Sequence, residues 1–391
     1  MIKYKVLFCV FLLHLTAACS LHPEINNYCH DPDEIRKPEI ISSIKIDVSQ
    51  LQYKHGFVST YFNDSLNWYI GLDEGKNNID IFDFNTQSYF KTIHIPIDGP
   101  FGKIQISDFY FHNPDTIFIF SEIGQKLIIT NLNAEVIYQE RVNLDAINKD
   151  TQLVLGIESF SGRMYYHQIN KVVVLPAVPS IDISEVDYFN YNFLISFNIQ
   201  EVNTTLLWGS YPPDYMKSKD AKDVSPVAQF FKISDYKDNL LVSFSASHTM
   251  LEFSPITGEC IGVYCTRSQK ISEIPKVNRD FDVQQAFNYV RSEGYYLGHM
   301  FDTNSKQYIR VVKHGQPLKN VDNKINPYHA VSWSIIVFDE QLTAQYEMYF
   351  DPRIHDFTKI LVSKHGLLVN RENELNPENN EDYLEFDVIK I

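Results

Sequence analysis

A unit of four short β-strands recurs along this 391-residue chain and limits the folds that the chain can adopt. In the first copy, residues 56–95, segments of alternating apolar and polar residues are separated by turns such as Asn85, Thr86 and Gln87. This alternation is typical of strands with one buried face, and short polar turns join antiparallel neighbours. Because an isolated two-stranded hairpin is marginal in water, the repeated copies must cover one another's apolar faces.

Six copies can be aligned, and in the fifth the strand assignment is ambiguous because of an insertion between Lys313 and Ser332. We include the segment Ala286–Arg291 in that copy as a strand. The third copy carries a long segment between its second and third strands, from Pro176 to Asn192. The remaining copies cover residues 103–142, 162–209, 228–265, 286–350 and 357–391.

The two ends of the repeat array complement each other. The sixth copy stops one strand short at the C-terminus, and an unassigned strand, Ile41–Val48, precedes the first copy. Repeated four-stranded antiparallel units are typical of a β-propeller, in which each sheet packs on its neighbours. The sequence therefore predicts an all-β, six-bladed propeller over residues 40–391, whose last blade is completed by the N-terminal strand. A β-sandwich or two packed barrels are alternatives, but neither predicts the same turn placement six times.

The N-terminus has the pattern of an export signal. Lys3 and Lys5 precede an apolar run that ends at Leu15, and small residues lead to Cys19, so residues 1–18 are predicted to be a signal peptide. The segment Leu15–Cys19 is similar to a bacterial lipobox, although Thr16 stands where Leu is commonest. We expect a lipidated Cys19 and a polar tether over residues 19–39. Ordinary cleavage after Ala18 is the alternative.

Together, the lipobox-like start, the length, the Tyr-, Phe- and Asn-rich strands and the six-copy layout resemble the Bacteroidetes lipoproteins grouped as DUF4221. These are related to TolB-like six-bladed propellers. The resemblance covers roughly residues 40–391 and implies a propeller fold and a location in the cell envelope, on the periplasmic side or the outer surface. The activity of that family is not established, so the resemblance brings no catalytic residues to this chain.

The formal net charge of −15 makes nucleic acid and anionic lipid poor partners, because both require basic patches. We expect membrane contact through the lipid anchor only. Once Cys9 is removed and Cys19 is lipidated, Cys29, Cys260 and Cys265 remain. Three cysteines do not make a disulfide framework, and the latter two lie too far apart in one extended strand to pair. We therefore expect them to be small buried hydrophobic residues.

The usual catalytic signatures are absent from the sequence. It contains no G-x-S-x-G, H-E-x-x-H, G-x-x-x-x-G-K or C-x-x-C motif, and its 13 histidines are scattered singly. Two acidic segments have oxygen ligands of the kind that calcium prefers, but neither has a recognised ligand spacing. We expect no metal and no cofactor.

The repeat predicts which loops share a face of the propeller. Turns between first and second and between third and fourth strands fall on one face and are short. Second-to-third loops and interblade connections fall on the opposite face, which we call the loop face, and they are longer and chemically richer. We expect a ligand site there, at the mouth of the central channel, with six candidate residues from three interblade connections: Tyr211, Asp214, Tyr215, Arg279, Arg353 and His355.

Two functions compete on these observations. The aromatic and charged loop residues favour a non-catalytic module that binds a protein, peptide or glycan of the cell envelope. The alternative is a hydrolase or lyase acting on carbohydrate or peptide, which would require Asp214, Arg279, Arg353 and His355 to converge in one pocket. A purely structural role in an envelope complex is also open. For the loop residues themselves, the alternative is that the tyrosines pack on the rim and the charges form solvated ion pairs.

Overall fold

The structure is a computed structural model that describes residues 29–49, 55–99, 102–121, 123–142, 151–152, 163–179, 181–199, 205–216 and 223–391. The predicted signal peptide and Cys19 lie outside these residues. The described chain begins with two strands that belong to the last blades of the fold, β1 (Ile35–Arg36) and β2 (Glu39–Asp47).

The first three blades are four-stranded antiparallel sheets. Blade 1 consists of β3 (Phe57–Phe62), β4 (Asn67–Asp73), β5 (Asn78–Asp83) and β6 (Ser88–His94), followed by a short ribbon, β7 (Asp98–Gly99) with β8 (Gly102–Lys103). Blade 2 consists of β9 (Asp108–Asn113), β10 (Thr116–Ser121), β11 (Lys126–Thr130) and β12 (Val136–Arg141). After β13 (Thr151–Gln152), blade 3 consists of β14 (Tyr165–His167), β15 (Val172–Pro176), β17 (Leu194–Asn198) and β18 (Thr205–Trp208), with β16 (Val178–Pro179) pairing with β13.

The last three blades follow the same pattern. After α1 (Pro213–Met216) and β19 (Asp223–Val224), blade 4 consists of β20 (Phe231–Tyr236), β21 (Asn239–Phe244), β22 (Thr249–Phe253) and β23 (Cys260–Cys265). After β24 (Val277–Asn278) and α2 (Val283–Ser292), blade 5 consists of β25 (Tyr295–Asp302), β26 (Gln307–Lys313), β27 (Trp333–Phe338) and β28 (Ala344–Phe350). Blade 6 consists of β29 (Asp356–Ser363), β30 (Gly366–Asn370), β31 (Tyr383–Lys390) and β2.

Strand alternation explains how the blades pack. In β10, Ile117 and Ile119 join the apolar cluster shared with blade 1. Their neighbours Phe118 and Phe120 join the cluster shared with blade 3. Successive side chains of a strand point to opposite faces of its sheet, so a central strand with both faces covered is apolar throughout. The propeller core therefore lies between blades.

The first strand of each blade is the innermost one. Each of β3, β9, β14, β20, β25 and β29 contacts the first strand of the next blade, and β29 contacts β3, so these strands form a closed ring around a central axis. Interblade connections enter this ring at the N-terminal ends of the first strands. That end of the axis is the loop face.

The N-terminal strand closes the ring, as the sequence predicts. β2 pairs antiparallel with β31, from Glu39 opposite Lys390 to Asp47 opposite Tyr383, and forms the outermost strand of blade 6. The expected six-bladed propeller with a last blade completed from the N-terminus is thus confirmed.

One predicted strand is a helix. The segment Ala286–Arg291 lies in α2, whose N-terminus is capped by Asp282. The Asp282 carboxylate accepts a hydrogen bond from the Gln285 backbone N–H, and the Gln285 side chain bonds back to the Asp282 N–H. This capping box satisfies two backbone donors that a helix start leaves open. No helix in the described ranges is long and apolar enough to cross a membrane.

The expectation that Cys29 and Cys265 are unpaired is wrong, because a disulfide joins them. From Cys29 the chain passes the end of blade 4 and adds β1 as a parallel strand on β28, the outer strand of blade 5. It then enters β2 in blade 6. Residues 29–36, which the sequence places in a tether, therefore lie along the outer edges of blades 4 and 5. We call this segment the strap.

Candidate functional site

A cleft on the loop face gathers residues from the connections around blade 4. Phe189 comes from the second-to-third loop of blade 3, and Asp214 and Tyr215 come from α1 in the connection that follows. Ile274 and Arg279 come from the connection between blades 4 and 5. We call it the blade-4 cleft. It brings together three of the six predicted residues, Asp214, Tyr215 and Arg279.

Aromatic side chains build one wall of the cleft. The Tyr215 ring lies 5.1 Å from the Phe189 ring centroid and stacks with Tyr211 at 6.0 Å. Tyr211 is 1% exposed and packs against Phe193 at 4.8 Å, so it supports the wall from behind and does not line the cleft. Burial raises the pKa of both tyrosine hydroxyls well above its usual value. Both side chains therefore stay neutral, and their rings form and support the wall of the cleft.

The polar atoms of Tyr215 and Asp214 form hydrogen bonds within the protein. The Tyr215 hydroxyl accepts a hydrogen bond from the Ala246 backbone N–H at 3.0 Å, and the Asp214 carboxylate accepts one from the Ser247 hydroxyl at 3.2 Å. Both interactions anchor α1 to the second-to-third loop of blade 4. They leave the shape of the wall fixed before any ligand arrives.

Arg279 clamps a neighbouring loop. Its Nη1 donates to the backbone carbonyls of Ile183, Ser184 and Glu185 at distances of 3.3, 3.0 and 2.9 Å. The side chain is largely buried, at 9% exposure. Arg279 therefore positions the blade-3 loop that carries Phe189, and its charge contributes to the field inside the cleft.

Two further charges of the cleft were missed by the sequence interpretation. Asp223 and Lys276 are both exposed and lie at its rim, on opposite connections. Asp223 and Lys276 occupy the same interblade segments as Asp214 and Arg279, and the sequence analysis had already selected these segments. The proximity of the two segments could not be predicted, because β19 and β24, which pair to hold them together, are only two residues long each.

The other two predicted residues lie outside this cleft. Arg353 is 73% exposed and forms a two-point ion pair with Asp351, at 3.2 and 3.0 Å. His355 is buried in blade 6, where its Nε2 lies 2.9 Å from an oxygen of Asp387. The interpretation as an enzyme required these residues to meet Asp214 and Arg279, and they do not share the blade-4 cleft.

No cluster of three or more His, Cys, Asp or Glu side chains within the described ranges is placed to hold a metal ion. The described residues that line the cleft include no histidine or cysteine. They supply two carboxylates, one ammonium and one guanidinium beside two aromatic rings, groups suited to hydrogen bonding and stacking.

The fold has solved counterparts. It matches the crystal structure of a member of the DUF4221 family from Bacteroides vulgatus with a TM-score of 0.72 and 14% sequence identity, over 90% of this chain and 98% of that chain. It also matches a Bacteroides fragilis protein described as exported, with a TM-score of 0.53 and 11% identity, over 93% of this chain and 99% of the other. At these identities the likeness is one of fold, and it confirms the predicted resemblance at that level. No protein-family model matches the chain, and no curated protein matches it.

Proposed function

We propose that this chain is an exported, lipid-anchored propeller that binds a protein, peptide or glycan partner of the cell envelope in the blade-4 cleft, without catalysis. The observation that carries the proposal is the cleft itself. It combines a preformed aromatic wall with exposed charges of both signs at the rim, Asp223 and Lys276. Pockets of this kind bind by apolar contact and take their orientation from a few polar groups.

Export is supported by three independent features. The N-terminus has a signal-peptide pattern that ends in Cys19. A structural relative with the same fold is described as exported. The Cys29–Cys265 disulfide is of a kind that persists in oxidising compartments and is rare in a bacterial cytosol.

The geometry favours binding over the hydrolase or lyase alternative. An acid–base mechanism requires a titratable group within hydrogen-bond reach of the substrate. His355, the histidine among the candidates, is bonded to Asp387 inside blade 6, and Arg353 is neutralised by Asp351 on the surface. The three candidates that do approach the cleft hold loops in place. The rings of Tyr215 and Phe189 offer a ligand a rigid aromatic surface, which limits the entropy lost on binding.

The test uses two exposed lysines close to blade 4, one on each face of the propeller. The wild-type protein, captured with its partner from envelope extracts, supplies the ligand, and affinity is then measured for Lys276→Glu and Lys237→Glu. Lys276 lies at the cleft, whereas Lys237 lies in the turn between β20 and β21 on the opposite face. We expect Lys276→Glu to weaken binding by about tenfold or more and Lys237→Glu to change it by less than about twofold. Equal effects, or no effect of Lys276→Glu, would place the binding surface elsewhere.

A further inference from the structure

A second cavity lies on the propeller axis and shares no lining residue with the blade-4 cleft. It is bounded mainly by the first strands of several blades, from their N-terminal ends to mid-strand residues such as Met300 and Leu361. Phe57 is the first residue of β3, Lys232 the second of β20 and Phe357 the second of β29. The cavity therefore occupies the loop-face end of the central channel, and we call it the channel mouth.

The walls of the channel mouth are mainly apolar. Phe57, Leu297, Met300, Phe357 and Leu361 contribute to them. Within this lining stand two cationic side chains, Lys232 and Arg163, which enter from blades 4 and 3. A cavity with an apolar wall and a few convergent charges is the usual form of a small-molecule site.

Arg163 has a counter-ion. Its Nε and Nη2 each lie 3.2 Å from an oxygen of Asp108, and its Nη1 donates to the Val58 carbonyl at 3.1 Å. The guanidinium also lies over the rings of Phe57 and Phe109, at 4.7 and 5.3 Å. The Asp108 carboxylate further accepts hydrogen bonds from the backbone N–H groups of Phe109 and Met164. These contacts largely compensate the negative charge of Asp108, so that Asp108 only weakly stabilises the charge of Lys232.

Lys232 has no such partner. No hydrogen bond or ion pair joins its ammonium to another residue in the part of the chain that the structure describes. Burial and, to a smaller extent, the nearby charge of Arg163 lower the pKa of Lys232, Asp108 opposes both, and the net pKa is about 8. Gly298 makes room for the lysine stem, because a Cβ built there would lie 3.2 Å from the Lys232 Cβ.

The remaining titratable groups near Lys232 do not neutralise it. His299 lines the same cavity, but both ring nitrogens lie 2.7 Å from serine hydroxyls, those of Ser234 and Ser243. Burial lowers the pKa of His299 to about 3, so the ring is neutral. Glu74 is exposed and interacts with Arg163. A desolvated cation without a counter-ion is costly, and an anionic ligand would remove that cost.

We propose that the channel mouth binds a small organic monocarboxylate. Its carboxylate pairs with the Lys232 ammonium, and its hydrocarbon part lies against Phe57, Leu297 and Phe357. The apolar wall distinguishes this ligand from an inorganic anion such as phosphate, which would need polar donors on most sides. The proposal is independent of partner binding in the blade-4 cleft.

The first experiment compares charged and neutral probes of the same shape. Hexanoate, hexanamide and inorganic phosphate are titrated into the mature protein and followed by ligand-observed NMR, which detects millimolar binding. We expect hexanoate to bind at least about tenfold more tightly than hexanamide, as one charge-assisted hydrogen bond allows. Equal binding of the two, tighter binding of phosphate, or no hexanoate binding at about 10 mM would overturn the proposal.

Variants then assign the effect to one side chain. Lys232→Met keeps the stem and removes the charge, and it should abolish the preference for hexanoate. Lys276→Met, in the blade-4 cleft, should leave that preference unchanged. The thermal midpoint of Lys232→Met should equal or exceed that of the wild type, because the variant removes an uncompensated charge. Retained hexanoate preference in a folded Lys232→Met protein would contradict the assignment.

The pH dependence gives a second readout. Binding requires the protonated ammonium, so hexanoate affinity should be nearly constant from about pH 6 to 7, fall to about half near the Lys232 pKa of about 8, and fall about tenfold for each further pH unit. Lys232→Arg should still bind and should lose this dependence, because a guanidinium remains charged. Affinity of the wild type that is flat to about pH 10 would show that another group holds the anion.

Discussion

At the residue scale, a buried arginine connects blades 4 and 5 near the loop face. Arg310 in β26 donates to the backbone carbonyls of Phe244, Ser247 and His248, at 3.0, 2.6 and 2.9 Å. Its guanidinium lies 3.6 Å from the ring centroid of Tyr296. These bonds hold the second-to-third loop of blade 4, and that loop in turn supports Asp214 and Tyr215 in the cleft.

Replacing this side chain should be strongly destabilising. Arg310→Met leaves three carbonyl acceptors without their donor, and we expect a loss of about 3 kcal/mol in the free energy of unfolding. The measurement is urea denaturation followed by circular dichroism. Arg353→Met is the matched control, since Arg353 is mostly exposed, and it should change stability by less than about 0.5 kcal/mol. Similar losses from the two variants would refute this role.

The structural role of two histidines, His55 and His355, could have been predicted from the sequence. His55 and His355 each precede a first strand and a phenylalanine, in H-G-F and H-D-F, and each bonds to an aspartate of the third strand of its own blade. The repeated H-x-F was a signal that His355 serves the fold. The contrast with Arg353, two residues away and exposed, could not be predicted, because it depends on where the chain enters blade 6.

At the element scale, strand β2 is the joint that closes the ring. Ile44 and Ile46 are buried in the cluster between blades 6 and 1, whereas Ile40 and Ile41 are exposed near the start of the same strand. The outer strand covers the edge that β31 would otherwise present as a template for pairing. The C-terminal half of β2 therefore provides the apolar contact with blade 1, and the whole strand provides hydrogen bonds to β31.

Matched substitutions within β2 test this division. Ile46→Ala removes a fully buried side chain and should lower the free energy of unfolding by about 2–5 kcal/mol. Ile41→Ala, at a position 55% exposed, should cost less than about 0.5 kcal/mol. Both are measured by chemical denaturation. A result in which the exposed position matters as much as the buried one would mean that β2 does not close the ring as described.

The elements that could be predicted from the sequence are those with a local pattern. The closing strand β2 alternates apolar and polar residues, and the central strands of the blades are short apolar runs between turns, so the propeller could be predicted. The start of α2 carried a readable signal as well, the D-x-x-Q capping box of Asp282 and Gln285, but the repeat alignment took precedence over it. The insertion after Lys313 had no period and remained ambiguous.

At the scale of the whole molecule, the strap and the disulfide tie the N-terminus to the ring. Cys29 and Cys265 are 236 residues apart in sequence, and the strap from Cys29 reaches blade 6 along the edges of blades 4 and 5. Neither the pairing nor the path could be predicted, because a long-range cysteine pair has no local pattern. The sequence predicted a ligand site at the mouth of the central channel but not the residues that line it, since Arg163 and Lys232 belong to different blades and come together only when blade 3 packs on blade 4.

Breaking the disulfide should loosen the ring. Cys29→Ser should lower the free energy of unfolding by about 2–4 kcal/mol, because the bond restricts the unfolded chain over a long loop. Cys265→Ser should have the same effect. The double variant should be no less stable than either single one, since all three lack the same bond. Additive losses in the double variant would indicate that the cysteines act separately.

The proposed lipid anchor would act on the location of the whole molecule. If Cys19 is lipidated, Cys19→Ala should leave the membrane fraction, because acyl chains contribute about 0.8 kcal/mol per buried CH₂. Fractionation of cell envelopes followed by immunoblotting measures this. Ser20→Ala, which keeps the cysteine, serves as the control and should remain in the membrane fraction. Membrane recovery of the Cys19→Ala protein would exclude the anchor.

Docking of a partner in the blade-4 cleft can be tested by site-specific photocrosslinking in intact cells. A benzophenone amino acid is placed at Lys276 on the cleft rim or at Lys237 on the opposite face of the propeller. We expect a discrete crosslinked species from position 276 that is absent from position 237. Crosslinks from position 237 alone, equal crosslinks from both, or none from position 276 would contradict it.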